Sequence, residues 1–536
     1  MSANLQLPKK QDQHPVHPDS TFENKPQSLS RNATWNVGST GVSMVLLFFL
    51  APYLIHHLGV ENYGIYLFLG TISGMLGLAN LGLGEATLRY VALYASQTDL
   101  VGINRVFRAT FFVTLITGSL ATLAAIAAAP WIISSLKFSH LDFRFGVYLL
   151  QLTAISFWIR FIAGTFLSIP QALLRYDLYC QIVIFESVLR AVGCIVVVLM
   201  AWGLEGLIYL NLFLSLFFLV MVVVASKRLI AGLVVWRFPS REGIREVFGY
   251  GVYAFASQLV GMGWQYTDRI LLGIFVSAGA IAYFSVPQDL VMRLLTLIAA
   301  APAAVLMPKF AGVVNNDRLK QLYLQATSLF LCLSIIVFVP LAVFIKDFLS
   351  LWISPEFARQ SGLIALLFCA SSIIRGAFLP YEALFRGIGR PQYYLVIITL
   401  SSLTVLGMGL LLIPKLGLMG AGYAICITPL LGIAAVAFTL AYVLKVRTLF
   451  LPIKLFVIPT ILGFACLGGG LWMRSLYYGD LGWFVMILGA VIIFFLTVTM
   501  LVIYEFTICR KEDDFMFMRK LVRLLPKGIL AHGNIT

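Results

Sequence analysis

The sequence predicts an all-α integral membrane protein of about fourteen transmembrane helices, arranged as two pseudo-symmetric six-helix lobes followed by two peripheral helices. Three observations predict it. Of the 536 residues, 60% are hydrophobic and only 11% are charged. Soluble domains carry roughly 25% charged residues, so this chain has too little charge to cover a water-facing surface. Its apolar residues fall into continuous runs close to the ~20 residues that a helix needs to cross the hydrocarbon core. Its basic residues collect in alternate loops, which is the asymmetry that orients membrane helices.

The runs fall at 33–57, 64–87, 107–134, 145–172, 180–202, 205–226, 249–275, 280–306, 323–349, 361–385, 392–413, 418–443, 452–473 and 481–505. Unbroken runs of this length exclude a transmembrane β-barrel, whose strands are short alternating segments. With the N-terminus inside, the inner loops hold 17 Lys and Arg, from Arg89 to Lys454, against 6 in the outer loops. Both termini are therefore expected in the cytoplasm, and the alternation itself checks the helix count. A net charge of +15 would suggest nucleic acid in a soluble protein; here it belongs to the orienting loops, and no nucleic-acid partner is expected. The first thirty residues are polar and lack an apolar signal region, so the first span is expected to direct insertion.

This organisation divides the chain into a disordered cytoplasmic head (1–30), a first lobe (31–226), a basic linker (227–248), a second lobe (249–445), two further spans (446–508) and a basic amphipathic tail (509–536). The lobes carry matching signals in the same order. Span four ends in Pro170-Gln171-Ala172-Leu173-Leu174-Arg175 and span ten in Pro380-Tyr381-Glu382-Ala383-Leu384-Phe385-Arg386. Gly203-Leu204-Glu205-Gly206 and Gly417-Leu418-Met419-Gly420 occupy equivalent turns. An even number of spans per repeat makes it a parallel one, with a substrate path expected between the halves. The seven cysteines lie mostly inside apolar runs without a CxxC pair. They read as small core residues, with neither disulfides nor a metal site expected.

A charge at the centre of a membrane helix costs about 2.5–3.5 kcal/mol on insertion scales, so such residues face a cavity or a partner. Arg160, Glu186, Arg190, Asp268, Arg269, Asp289, Arg293 and Arg375 lie at mid-depth, and Glu85 and Arg89 near the inner end of span two. Arg160 and Arg190 belong to the first lobe, Arg293 and Arg375 to the second. If the lobes face one another, these four line one central cavity, where planar guanidinium groups suit a phosphate-bearing anion. Glu186 and Arg190, and Asp289 and Arg293, are spaced i, i+4, so each pair either neutralises itself along one helix or offers its cation to the cavity. Arg160 and Arg375 have no acid within one turn of their own helices. Asp268 and Asp289 either bind a coupling proton or sodium ion, as do the further candidates Glu186 and Glu85, or pair with Arg269 and Arg293.

Residues Leu58-Gly59-Val60-Glu61-Asn62-Tyr63-Gly64-Ile65-Tyr66, then Asn80-Leu81-Gly82-Leu83-Gly84-Glu85-Ala86 and Arg89-Tyr90-Val91-Ala92, resemble the opening of Wzx-type polysaccharide flippases. That family lies in the multidrug/oligosaccharidyl-lipid/polysaccharide exporter superfamily. Asp268-Arg269-Ile270-Leu271-Leu272-Gly273, followed by Tyr283, is similar to the start of the family's second half. The resemblance implies twelve core helices in two lobes around a V-shaped cationic cavity, alternating access, and an undecaprenyl-diphosphate-linked oligosaccharide as cargo. Arg160, Arg190, Arg293, Arg375, Arg89 and Arg269 would hold it. It further implies a transporter without enzymatic activity or cofactor in a bacterial inner membrane, surrounded by membrane lipids and working beside glycosyltransferases and a glycan polymerase. Glu85 departs from the family pattern, which has a small residue there. The rival readings are a drug or cation exporter of the same superfamily, which would want acids and aromatics in its cavity, and a polysaccharide polymerase or ligase, which usually carries a large outer loop that this sequence lacks.

Overall fold

The computed structural model describes residues 29–138, 141–313, 315–390, 392–445, 453–477 and 482–508. Almost all of the expected head and the whole expected tail lie outside them. Every regular element within them is a helix: α1 (Leu29–Leu58), α2 (Val60–Leu76), α3 (Leu83–Ser96), α4 (Leu100–Ser134), α5 (Phe143–Ala172), α6 (Tyr176–Leu199), α7 (Gly203–Leu229), α8 (Arg241–Phe275), α9 (Ala278–Ala311), α10 (Asn316–Trp352), α11 (Pro355–Gly376), α12 (Leu379–Gly387), α13 (Gln392–Leu416), α14 (Leu418–Phe438), α15 (Ile458–Ser475) and α16 (Trp483–Ile508). Among the described residues, 12 helical segments are long and apolar enough to cross a membrane, and the bent pair α2 and α3 makes 13. α8, of 35 residues, covers the expected seventh span. About fourteen crossing segments result.

Several helices outrun the apolar runs that predicted them. α4, α8, α9 and α10 have 34 to 37 residues, about 50–55 Å at 1.5 Å per residue, against a core of ~30 Å. Their extra turns are the polar ends that a hydrophobicity reading omits. Asp99 starts α4 by accepting the Gly102 N–H at 2.9 Å, outside the expected span. The second span also differs from a simple rod. A 3-10 turn at Gly77–Asn80 and left-handed backbone at Leu81 (φ 48°) and Gly82 (φ 75°) bend α2 from α3 by 51°. The Asn80 side chain then accepts the Gly84 N–H and opens α3. α11 breaks from α12 at Ala377 and Phe378, with Pro380 in the first turn of the new helix.

Packing separates the chain into two bundles that share apolar contacts around α1, α2 and α9. Phe107, Phe166, Phe218 and Val222 belong to a core confined to α3–α7 and the segment that follows α7. Phe310, Tyr323, Leu384 and Phe385 belong to a core of the second bundle, α9, α10 and α12, to which α14 also contributes. A third core crosses between them, joining Leu54 and Phe68 of α1 and α2 to Leu272, Phe284, Phe338 and Phe368 of α8–α11. α15 and α16 lie against α10. Arg474 of α15 clamps Asp347 of α10 through two hydrogen bonds of 2.7 and 2.9 Å.

The bundles meet at the end bearing the α8–α9 turn, the outer end in the charge-based orientation. There α2 and α9 approach at Gly64, where a Cβ would run into the Ala278 carbonyl. The Glu61 carboxylate accepts the Gly279 N–H at 3.1 Å. The Lys137 N–H and ammonium donate to the carbonyls of Gly273 and Phe275. The Trp352 indole stacks on Phe48 at 4.9 Å and donates to the Phe48 carbonyl. At the opposite, basic end, the first turns of α8 lie on the first bundle. The Tyr94 hydroxyl and Arg105 donate to Glu246 at 2.9 and 3.2 Å, and Val247 fills a pocket between α3 and α4.

Two outcomes follow from this packing. Gly64→Ala is expected to hold the α8–α9 end apart, so that a cysteine placed at Ser73 reacts faster with a membrane-impermeant thiol reagent applied from that side. Unchanged labelling would show that the glycine contact is not the seal. Arg474→Ala strands a mostly buried carboxylate and is expected to cost about 1–3 kcal/mol, read as a lower melting temperature in detergent; Asp347→Asn with Arg474→Gln should recover part of it.

Candidate functional site

Between the bundles lies a cavity of about 700 Å³, inside the ~300–1,000 Å³ range usual for ligand sites. α2 supplies Tyr66, Ser73 and Gly74; α5 supplies Thr153, Ser156 and Arg160; α6 supplies Arg190; α7 supplies Asn211 and Ser215. The second bundle contributes Gln265, Tyr266 and Arg269 from α8, and Asp289 and Arg293 from α9. The wall is thus rich in hydroxyl and amide groups, with charge concentrated on a few guanidinium groups and one exposed acid.

Glu186 organises the first half of the site. It is almost fully buried on α6 and its carboxylate is held from two sides. Arg160 reaches it from α5 with two hydrogen bonds of 3.2 and 3.3 Å, and Arg190 from one turn along α6 at 2.5 Å. Arg190 also donates to the Asn211 side chain at 2.6 Å, and Arg160 lies over the Phe218 ring at 4.6 Å. A buried carboxylate is tolerable only when paired and hydrogen-bonded, and two cations on one anion leave a positive surplus facing the cavity. The i, i+4 spacing of Glu186 and Arg190 therefore does form a pair. Arg160, with no acid within a turn of its own helix, gains one from the neighbouring helix, which local spacing could not show.

The second half resolves differently from its spacing. Asp289 binds Arg269 across α8 and α9 at 2.5 Å, not Arg293 on its own helix. Arg293 makes no ion pair among the described residues. It also lines a small, mainly apolar pocket beside the cavity, formed with Met44, Leu47 and Phe48 of α1, Tyr63, Leu290 and Trp352. Arg293 thus stands where a polar chamber meets an apolar cleft along α1. Four guanidinium groups against the carboxylates of Glu186 and Asp289 leave the cavity with two net positive charges.

Four expected site residues lie elsewhere. Arg375 lines a separate pocket of about 270 Å³ within the second bundle, with Phe378, Tyr381, Tyr394 and Ser401. It does not join Arg160, Arg190 and Arg293, because α11 turns it towards α13 and α14; its guanidinium approaches the Met292 sulfur at 3.6 Å. Glu85 and Arg89 sit on the exposed side of α3, with Arg89 near the Tyr90 ring at 5.9 Å; neither lines the cavity. Asp268 is 1% exposed and does not line the cavity, and neither carboxylate oxygen has a hydrogen-bond partner among the described residues. Asn211, Gln265 and Tyr266 were not singled out from the sequence. Polar groups inside apolar runs are the signal that would have found them. Glu61, quoted within the opening motif, turns out to close the far end of the bundle and does not line the cavity.

Comparison with known proteins agrees with this architecture. The family described as polysaccharide biosynthesis protein matches residues 58–358. An uncharacterized membrane protein of Methanocaldococcus jannaschii is 27% identical over 186 residues, 34% of this chain and 36% of that protein; the chain therefore spans about a third of that relative's length. A Shigella flexneri protein named "Putative O-antigen transporter" is 19% identical over 413 residues, 74% of this chain and 93% of that protein. Among solved structures, the lipid II flippase MurJ in an inward closed conformation superposes with a TM-score of 0.69 at 14% identity, covering 88% of this chain and 98% of that one. An inward-facing multidrug resistance MATE transporter of the MOP superfamily gives 0.61 at 17% identity, covering 78% and 96%. At these identities the structures establish the fold.

Glu186→Ala is expected to cost more stability than Arg160→Ala, because it strands two cations whereas Arg190 and Asn211 remain to hold the site when Arg160 is lost. A buried unpaired charge costs about 3–5 kcal/mol, so a several-degree difference in melting temperature between the two variants is the measurement. Equal melting temperatures would mean that the carboxylate is not the hub of the network.

Proposed function

Because the chain belongs to the polysaccharide biosynthesis protein family, we propose that it carries an undecaprenyl-diphosphate-linked oligosaccharide from the inner to the outer leaflet of a bacterial inner membrane, for O-antigen, capsule or exopolysaccharide assembly. The observation that carries the reading is the surplus of two positive charges in a hydroxyl-rich chamber. A diphosphate diester is a dianion, and guanidinium groups bind phosphate oxygens through paired, charge-assisted hydrogen bonds. The serine, threonine and amide groups of the wall offer partners for sugar hydroxyls. The cleft along α1 gives the polyprenyl chain a path to lipid, with Arg293 at the junction.

The transport cycle follows from the two ends. The close contact at Gly64 and Ala278 seals the α8–α9 end, so cargo is taken up from the basic, cytoplasmic side. Rocking of the bundles about the cavity then separates α2 from α9 and exposes the glycan to the outside. A charge moved through 100 mV exchanges about 2.3 kcal/mol with the membrane potential. A dianion leaving a negative-inside cell gains about twice that, which drives export without a compulsory counter-ion. Asp268, buried without a hydrogen-bond partner among the described residues, is the residue we assign to proton or sodium coupling. The anion-selective character of the chamber sets this reading apart from a drug or cation exporter.

Complementation of a strain lacking this gene tests the assignment. Arg293→Ala and Arg190→Ala, at equal protein level, are expected to reduce surface glycan at least tenfold, Arg293→Lys less, and Arg375→Ala least. Normal glycan with both Arg293 and Arg190 removed would defeat the cationic-chamber mechanism. Asp268→Asn should keep transport while removing its dependence on an imposed pH or sodium gradient; an unchanged gradient response would take coupling away from this residue.

A further inference from the structure

The segment between the two bundles, residues 230–240, is shorter than the basic linker expected at 227–248, and it is built into the first bundle. Asn104 of α4 grips it twice, donating to the Gly232 carbonyl at 2.9 Å and accepting the Val234 N–H at 2.8 Å. Arg108 donates to the Val234 carbonyl at 3.0 Å. Ile230, Leu233 and Val235 are buried in the core of α3–α7. A passive tether would need none of this.

What the segment presents outward is unlike a solvated loop. Trp236 is 84% exposed and Phe238 89%, the largest exposures among the aromatic side chains described. Their rings meet the side of α4 edge-on, Trp236 at Phe111 (5.9 Å) and Phe238 at Phe112 (6.2 Å). The position of those partners fixes the depth. Exposed Trp131 lies near the other end of α4, and the twenty residues between Phe111 and Trp131 span about 30 Å. That is about one hydrocarbon thickness. If Trp131 marks one water–lipid boundary, Trp236 and Phe238 mark the other, the depth at which aromatic side chains favour the headgroup region. Around them stand exposed Arg237, Arg241 and Arg245, with Lys227 and Arg228 at the end of α7.

We propose that this segment is a lipid-binding wedge: its two aromatic rings insert among the acyl-chain ends while the surrounding cations bind the phosphates of anionic phospholipids in the adjacent leaflet. Charge complementarity selects the occupant. Five exposed cations face one exposed acid, Glu242, since Glu246 is engaged by Tyr94 and Arg105. A zwitterionic headgroup brings a cation of its own and gains less from such a patch. Because Asn104 and Arg108 weld the wedge to α4, it holds the first bundle to the leaflet.

The full-length protein, purified in mild detergent and titrated with phosphatidylglycerol or phosphatidylcholine, gives the test when lipid occupancy is read by native mass spectrometry. The wild type is expected to retain phosphatidylglycerol at least tenfold better than phosphatidylcholine. Arg237→Gln with Arg241→Gln and Arg245→Gln should bring that ratio close to one. Trp236→Ser with Phe238→Ser should lower retention of both lipids and leave their ratio largely intact. A matched control removes Arg318 and Lys320, basic residues on the same side at the start of α10, and is expected to keep the preference. No preference in the wild type, an unchanged ratio in the triple variant, or an equal loss in the control overturns the proposal. Melting temperatures of all variants within a few degrees of wild type confirm that folded protein is compared, and none of these residues lines the central cavity.

Discussion

Glu186 is the point on which the interior depends. A carboxylate in the middle of a membrane protein must be paired or it costs several kcal/mol, and here two guanidinium groups from different helices meet that need at once. The arrangement fixes the separation of α5 and α6 at the depth of the cavity and draws Asn211 of α7 into the same network. One anion shared by two cations leaves positive charge over, and that residue of charge faces the chamber. Structural necessity and the surplus of positive charge thus come from the same three side chains.

The two bundles are joined unequally. The apolar core that crosses between them involves α1, α2 and α8–α11, while α3–α7 and α9–α14 also keep cores of their own. α8 belongs to both sides: its start rests on α3 and α4 through Glu246 and Val247, whereas further along the Val260 carbonyl accepts a hydrogen bond from Ser402 of α13. A helix held at one end by each bundle transmits any tilt between them. The ion pair of Asp347 and Arg474 fixes α15 to α10 and so makes it part of the second bundle.

Much of this architecture was legible in the sequence, since helix number follows from apolar run length and loop charge, both local properties. The bend between α2 and α3 was not, because it needs left-handed backbone at Leu81 and Gly82, and the span reads as apolar throughout. The candidate site was legible by type and less so by partner. Arginines at mid-depth do mark the cavity, yet their pairing is decided between helices: Arg160 reaches Glu186 across 26 residues of sequence and Arg269 reaches Asp289 across 20. The i, i+4 rule ranked Asp289 with Arg293, and tertiary proximity overrode it. Arg375 shows the other limit, for depth in the membrane says nothing of the side to which a helix turns a residue.

The contact of Gly64 with Ala278 is made by main-chain atoms. Around it, the Glu61 and Lys137 hydrogen bonds and the apolar core shared by α1, α2 and α8–α11 hold the same end together. The missing side chain lets two backbones touch, and the cohesion of the joint is supplied by its neighbours, so a methyl group added at this one position pries against a whole apolar seam.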